Sequence, residues 1–456
     1  MMSEKEKKIE LFEKMPLTKA IMKLAIPTVI SSLVMVIYNL ADTYFVGMLN
    51  DPIQNAAVTL AGPVMLAFNA INNLFGVGSS SMMSRALGRA DYETVKKSSA
   101  FGFYCALICG ILFSIFFTVF KIPFLDILGA DSKTFEATSE YMLWTVTFGA
   151  APAIVNVVMA YLVRSEGLAL HASIGTMSGC LLNIILDPIF ILPWGFNMGA
   201  AGAGFATFIS NCIACLYFFV LLYVKRKSTF VCINPKMIKV NKMIVAGIFA
   251  VGVPAAIQNL LNVTGMTVLN NFTSEFGSEA VAAMGISQKI NMIPMYVTMG
   301  LSQGIMPLIS YTFSSGNIKR MKNTILISAK FSMTFLVVIA LCFYLFAEQI
   351  ITMFMTNAEI VFYGSAFLRG FCLGLPFLCM DFLAVGVFQA TGKGTNAFLF
   401  AVSRKIILEI PALFILNWLF PLYGLAYAQF AAEVVLAVAA VIVLKKMINK
   451  LTKQHL

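Results

Sequence analysis

The sequence predicts an all-α membrane protein, with twelve transmembrane helices in two pseudo-symmetric six-helix lobes. Three observations predict it. Of 456 residues, 59% are hydrophobic and only 12% are charged, against roughly 25% charged in an ordinary soluble domain. Apolar runs long enough to cross a bilayer recur along the whole chain, and the second half echoes the first. So few charges could not cover a soluble surface. A cytosolic enzyme, a disordered chain and a disulfide-stapled secreted module are therefore excluded.

A bilayer core needs about 20 apolar residues of helix. By that measure spans are predicted at 22–46, 56–83, 98–120, 139–163, 172–192, 199–224, 242–272, 279–312, 326–354, 358–390, 395–416 and 422–444. The first is a span, not a removed signal peptide, because no small-residue cleavage site follows it. Lysine and arginine fix the orientation. Twenty-five lie in the two termini and in the loops after even-numbered spans, whereas the opposite face holds only Lys121 and Lys133. Positive charge marks the cytoplasmic side, so both termini are expected inside, in a multi-pass protein. The formal charge of +11 is then a matter of topology, and no nucleic acid is needed as partner. The expected partners are the lipid bilayer and a small-molecule substrate, with the chain acting as a monomer.

The repeat is legible residue by residue. Ile26-Pro-Thr28 returns as Val253-Pro-Ala255 at an offset of 227, and Arg89-Ala-Asp91 as Ser315-Gly-Asn317 at 226. Gly78 matches Gly304 (226), Pro152 matches Pro376 (224), Pro188 matches Pro411 (223), and Gly202 to Ala206 matches Gly424 to Ala428 (222). Six spans per half, in one orientation, make a parallel repeat about an axis normal to the membrane. Such repeats leave a substrate cavity between lobes that rock for alternating access. The expected division is 1–224, a cytoplasmic connector at 225–241, and 242–456.

An ionisable side chain inside a span is costly unless paired or wet, so each is a functional candidate. Asp42 in span 1 stands about 28 Å of helix beyond Lys23, and Asp187 in span 5 about 24 Å beyond His171, at similar depth. Asn183 shares the helical face of Asp187, four residues earlier. Two carboxylates and an amide oxygen suit a hard cation such as Na⁺, which prefers oxygen ligands. They equally suit a proton, because two close carboxylates in low dielectric do not both stay ionised. Thr207 on span 6 is placed to add an oxygen. Taken singly, Asp42 also reads as a solvated residue near a helix end, Asp187 as a helix-ending Asp-Pro, and Thr207 as a hydroxyl bonded to its own helix. In the second half Lys289, with Gln288 beside it, lies deep in span 8, Asp381 in span 10, Glu409 in span 11 and Glu433 in span 12. Arg369 and Arg404 are expected to snorkel to the span ends. Asp381 aligns with Asn156 at an offset of 225, so that position is acidic in one lobe only. A Lys289–acid pair would be either a structural ion pair or a relay, and these residues are candidates for the substrate cavity or such a relay.

Other chemistry is not encoded. Gly386 to Gly394 misses the phosphate-binding loop by one residue and lacks its Ser/Thr. Cys212 and Cys215 have no second pair or histidine to complete a zinc site. No cofactor and no catalytic group is expected beyond a coupling ion.

Several strings together resemble a known family. They are Ile26-Pro-Thr with Asn39-Leu-Ala-Asp-Thr-Tyr-Phe45, Ser84-Arg-Ala-Leu-Gly-Arg-Ala-Asp91, Asn183-Ile-Ile-Leu-Asp-Pro188, Gln303-Gly-Ile-Met-Pro307 and Gln389-Ala-Thr-Gly-Lys393. Over nearly the whole chain the sequence resembles the multidrug and toxic compound extrusion (MATE) family, in its MepA-like and DinF-like bacterial branches. The resemblance implies a Na⁺- or H⁺-driven antiporter of the bacterial inner membrane that exports amphipathic, often cationic compounds. It implies that the first lobe carries the coupling site, at Asp42, Asn183, Asp187 and Thr207. The alternative expectation is a flippase for lipid-linked precursors, which would want a cationic cavity, with Lys289 and Arg404 as its only hint. An intramembrane enzyme is the reading from a third class, and the six-plus-six repeat speaks against it.

Overall fold

The computed structural model describes residues 4–454. The side chains of residues 4 and 5, including Lys5 counted above, lie outside it. Among the described residues the chain is helical throughout, with no strand. Ten helices are long and apolar enough to cross a membrane: Leu17–Gly47, Pro52–Gly88, Tyr92–Val119, Ala169–Ile191, Gly199–Val224, Lys242–Ser274, Ser278–Ser314, Ile318–Leu345, Ala358–Ala390 and Tyr423–Gln454. They are spans 1, 2, 3, 5, 6, 7, 8, 9, 10 and 12. Span 4 is a bent pair, Phe135–Phe148 and Ala150–Ser165, meeting at 50°. Span 11 is built from Gly394–Val402, a π-helical turn Ser403–Glu409 and Ile410–Leu419, and carries Arg404, Lys405 and Glu409 in that turn.

Spans 9 and 12 depart furthest from the hydropathic expectation. Span 9 was expected at 326–354, but the helix is Ile318–Leu345 and a separate short helix, Ala347–Thr352, follows it. Span 12 runs ten residues past its apolar stretch, to Gln454. Hydropathy reports where the chain leaves lipid. Helix continues into water while its backbone bonds and its lysine-rich surface allow.

The repeat is visible in backbone detail. The turn after span 2 has Ala90 at φ 57°, and its counterpart after span 8 has Gly316 at φ 77°. Asp91 then caps span 3 by accepting from the Thr94 N–H at 3.1 Å, and Asn317 caps span 9 by accepting from the Arg320 N–H at 3.0 Å. The cap satisfies one of the orphan donors at each helix start.

Packing follows a two-fold pattern. Span 1 packs against span 5 within its lobe and against span 8 of the other; span 7 packs against span 11 within its lobe and against span 2 of the other. Glycines let these seams close. A Cβ at Gly304 would stand 2.8 Å from Ala25 Cα, and one at Gly300 would stand 2.9 Å from Val29 Cα. Gly300 and Gly304, four apart on span 8, form the small-residue face that lets helices in lipid approach backbone to backbone.

The face that carries both termini is closed. Ser81 Oγ of span 2 donates to the Gln389 carbonyl of span 10 at 2.6 Å. The amino-terminal helix Glu4–Glu13 lies across both lobes there. Lys8 is buried and pairs with Glu166 of the first lobe at 3.0 Å. Phe12 is fully buried and stacks on Tyr311 of the second lobe, with ring centroids 4.8 Å apart. Tyr311 donates its hydroxyl to Glu13 at 2.7 Å, and Arg320 donates to the carbonyls of Phe12 at 2.6 Å and Met15 at 2.7 Å. The connector after span 6 is held by the first lobe. The Phe230 N–H donates to Glu166 at 2.6 Å, and Ser99 Oγ and Tyr104 Oη donate to the Cys232 and Ile233 carbonyls at 2.9 and 2.8 Å. Among the described residues, no hydrogen bond or ion pair joins the lobes near the opposite face.

Gly304→Val should force span 8 away from the span 1 backbone. The expected cost is about 1–3 kcal/mol, read as a lower thermal unfolding midpoint in detergent. Gly285→Ala is the control: a Cβ there has no heavy atom within 4 Å, and no loss is expected.

Candidate functional site

The acidic side chains deep in the spans gather in two clusters, one per lobe. In the first lobe, Asp187 is fully buried within helix Ala169–Ile191, which continues past Pro188 to Ile191. It does not end the helix. Asn183, also buried, lies one turn before it. With its amide nitrogen turned towards the acid, Asn183 donates to Asp187 Oδ2 at 2.8 Å and Oδ1 at 3.3 Å, and its oxygen accepts from Thr207 N at 3.1 Å and Oγ1 at 3.2 Å. The carboxylate, the amide and the hydroxyl predicted from sequence thus form one chain across spans 5 and 6. Asp42 is half-buried inside helix Leu17–Gly47 and lies within Coulombic reach of Asp187. Tyr38 and Tyr141 lie within reach of both carboxylates. Tyr38, one turn before Asp42, was findable by helical spacing. Tyr141 comes from span 4 and carries no sequence signal.

In the second lobe, Arg404 is buried, with only 3% of its surface exposed. It does not snorkel. Its Nε donates to Glu433 Oε1 at 2.7 Å, and its Nη1 lies 3.5 Å from Asp381 Oδ2. Two buried carboxylates therefore share one guanidinium, and both Asp381 oxygens and Glu433 Oε2 have no hydrogen-bond partner. Beside them Lys405 holds Glu409, at 2.7 Å to each oxygen. Gly265 of span 7 makes room for that pair: a Cβ there would sit 3.0 Å from Lys405 Cδ. Lys405 was missed in the sequence because it follows Arg404 and a simple helical phase separates the two. The π turn at Ser403–Glu409 winds more loosely, and both residues turn inward.

Lys289 corrects an expectation. It is exposed, and among the described residues no acidic group lies within ion-pair distance of it. Arg404, from span 11, takes the acids that a Lys289 pair would have used. Gln288 bonds to Asn270 Oδ1 of span 7 at 3.0 Å.

The repeat shows how the two lobes specialise. The offset of 222 that matches Gly202 with Gly424 also matches Asn211 with Glu433. Asn156 donates to Asn211 Oδ1 at 2.9 Å, so an amide pair occupies in the first lobe the place of Asp381 and Glu433 in the second. Conversely, Asp42, Asn183 and Asp187 fall on Leu269, Ile406 and Ile410 by offsets of 227, 223 and 223. Each lobe has lost what the other keeps.

Between the lobes lies a cavity lined by Asn73, Tyr161, Gln258, Gln303, Phe382 and Gln389, among others. None of Lys289, Asp381, Glu409, Glu433, Asn156 and Gln288 lines it. Among the described residues no group of three or more histidine, cysteine, aspartate or glutamate side chains is placed to hold a metal ion. The Asn183 amide oxygen faces Thr207 and its nitrogen faces Asp187, so the carboxylates of Asp187 and Asp42 are the groups left to take a proton or a monovalent cation.

Comparison with known proteins adds the following. The MatE family model matches residues 27–189 and 254–415, one match in each half. The chain is 35% identical over 454 residues to "Multidrug export protein MepA" of Staphylococcus saprophyticus, covering 98% of both chains. It is 34% identical over 450 residues to the protein of the same name from Staphylococcus aureus, again covering 98% of each. A solved structure described as the outward-facing conformation of a multidrug resistance MATE family transporter of the MOP superfamily aligns with a TM-score of 0.92. It is 26% identical and covers 98% of this chain and 99% of its own.

Arg404→Ala should leave two buried carboxylates uncompensated and cost about 3–5 kcal/mol of stability, measured by thermal unfolding in detergent. Adding Asp381→Asn and Glu433→Gln should recover most of that loss.

Proposed function

The chain belongs to the MatE family of membrane transporters, and from that premise we propose that it is an antiporter exporting amphipathic, cationic drugs or metabolites against inward flow of Na⁺ or H⁺. The observation that carries the reading is the chain of buried Asp187 and Asn183 with Thr207, and half-buried Asp42 within Coulombic reach of Asp187, among apolar spans of one lobe. An ionised carboxylate at that depth costs about 3 kcal/mol. A bound proton or Na⁺ removes the charge, so occupancy of the pair is linked to whichever conformation exposes it.

The terminus-bearing face, rich in lysine, is the cytoplasmic one. The structure is then closed inward by the seams of spans 1 with 8 and 2 with 7, and by the amino-terminal helix across both lobes. The lobes, 1–224 and 242–456, rock about these seams, and the segment 225–241 moves with the first. Ion binding to Asp42 and Asp187 from the outside competes with the exported molecule, which leaves. The loaded protein closes outward, opens inward, releases the ion and takes up the next molecule. One elementary charge moved through 100 mV yields about 2.3 kcal/mol, roughly a fifty-fold gradient for a neutral molecule. When a monovalent cation leaves as one ion enters, the potential cancels and the ion gradient alone drives export.

No observation favours the flippase. Its hint was a cationic cavity at Lys289 and Arg404. Lys289 does not line the interlobe cavity, and Arg404 is bound by Glu433 and Asp381.

Proteoliposomes with Na⁺ and pH gradients imposed separately test the proposal. Asp42→Asn and Asp187→Asn are each expected to reduce gradient-driven export of a lipophilic cation by tenfold or more, with the protein still folded. Unchanged, ion-dependent export in both variants would refute it.

A further inference from the structure

The interlobe cavity takes side chains from both lobes, and most of its polar groups are uncharged amides and hydroxyls. One lining side chain carries a charge at neutral pH, and it is a cation, Arg164. Among the described residues no carboxylate lines the cavity. The first-lobe carboxylates do not line it, and the Arg404 cluster stands behind its Phe382 wall, with the Arg404 guanidinium carbon 5.1 Å from the centre of that ring.

Arg164 is 7% exposed, yet among the described residues it has no acidic partner. Its Nε has no hydrogen-bond partner, and its Nη1 reaches only Gln303 Oε1, at 3.5 Å. Its guanidinium carbon lies 5.5 Å from the centre of the Tyr161 ring. The nearest acid along the chain, Glu166, is committed to Lys8, Thr229 and the Phe230 N–H. A guanidinium offers five donors in a planar fork that matches an oxyanion. Burying one with so few acceptors is costly, and a bound carboxylate removes that cost. Tyr161, Met299, Met306 and Phe382 supply apolar surface for a flat ring system around it.

We propose that Arg164 is the anchor for a carboxylate carried by the exported molecule, so that the cavity selects zwitterionic amphiphiles over simple lipophilic cations. The inference rests on the reading that this cavity holds the transported molecule. The fork of Arg164 receives the carboxylate, the amides of Gln258, Gln303 and Gln389 receive the remaining polar groups, and the aromatic body lies on Tyr161 and Phe382. A single cation suits one carboxylate and does not suit a lipid-linked diphosphate, which needs several.

A rhodamine with a free benzoate carboxyl and its methyl ester share one ring system and differ only in that anion. Binding of each to the purified protein in neutral-lipid nanodiscs, followed by fluorescence anisotropy at pH 7, tests the proposal without any gradient. The free acid is expected to bind at least about tenfold more tightly than the ester. Arg164→Gln should abolish that preference and leave ester affinity within about twofold, while Arg164→Lys, with charge but no fork, should keep part of it. Equal binding of acid and ester by the wild-type protein overturns the proposal, whether or not Arg164→Gln folds. So does an equal loss of both dyes in Arg164→Gln, or disappearance of the preference when phosphatidylglycerol is added, which makes a lipid headgroup the occupant. Loss of ion-coupled export leaves this binding result untouched, and equal binding of the two dyes leaves coupling by Asp42 and Asp187 standing.

Discussion

Hydrocarbon does not tolerate an unpaired charge, and almost every unusual feature of this chain answers that constraint. Asp187 is buried with Asn183 and Thr207 arranged around it. Asp381 and Glu433 are buried with Arg404 between them, and Glu409 is buried with Lys405. The two solutions differ in kind. The second-lobe acids carry their counter-cations on the same chain, so they hold span 11 to spans 10 and 12. Among the described residues no cation pairs with the first-lobe carboxylates, and on the proposed antiport their neutralising partner comes from solution. A site that needs an external cation is a site at which a cation gradient does work.

The repeat makes this asymmetry meaningful. Both lobes descend from one six-helix plan, visible in matching turns at Ala90 and Gly316 and matching caps at Asp91 and Asn317. On that plan Asp42, Asn183 and Asp187 have become Leu269, Ile406 and Ile410, and the Asn156–Asn211 pair has become Asp381 and Glu433. In the proposed cycle the two-fold frame supplies the rocking motion. Divergence of the halves leaves one lobe with carboxylates that have no paired cation among the described residues, and the other with a fixed internal ion cluster.

Much of this was legible in the sequence, for a physical reason. Membrane spans are long, apolar and uninterrupted, so hydropathy locates them. A helical period of 3.6 places Asn183 and Asp187 on one face without further information. What stayed hidden depended on helix phase or on distant contact. The π turn at Ser403–Glu409 turns Arg404 and Lys405 inward, whereas the place of Arg404 near a span end pointed to snorkelling. The charged amino-terminal stretch gave no sign that Phe12 would be buried against Tyr311, about three hundred residues away. The cavity lining, drawn from residues such as Asn73, Gln258 and Gln389, is ordinary polar sequence until the lobes meet.

The central claim is that the first-lobe carboxylates hold an exchangeable cation whose binding opposes that of the exported molecule. Equilibrium binding to the purified protein addresses it directly. A lipophilic-cation substrate is added to protein pre-equilibrated with radiolabelled Na⁺ in weakly buffered detergent solution, and displaced Na⁺ and released protons are both counted. The account predicts about one ion of one kind displaced per substrate bound, and none in a protein bearing Asp187→Asn. Substrate binding that displaces neither Na⁺ nor protons from the wild-type protein would contradict it.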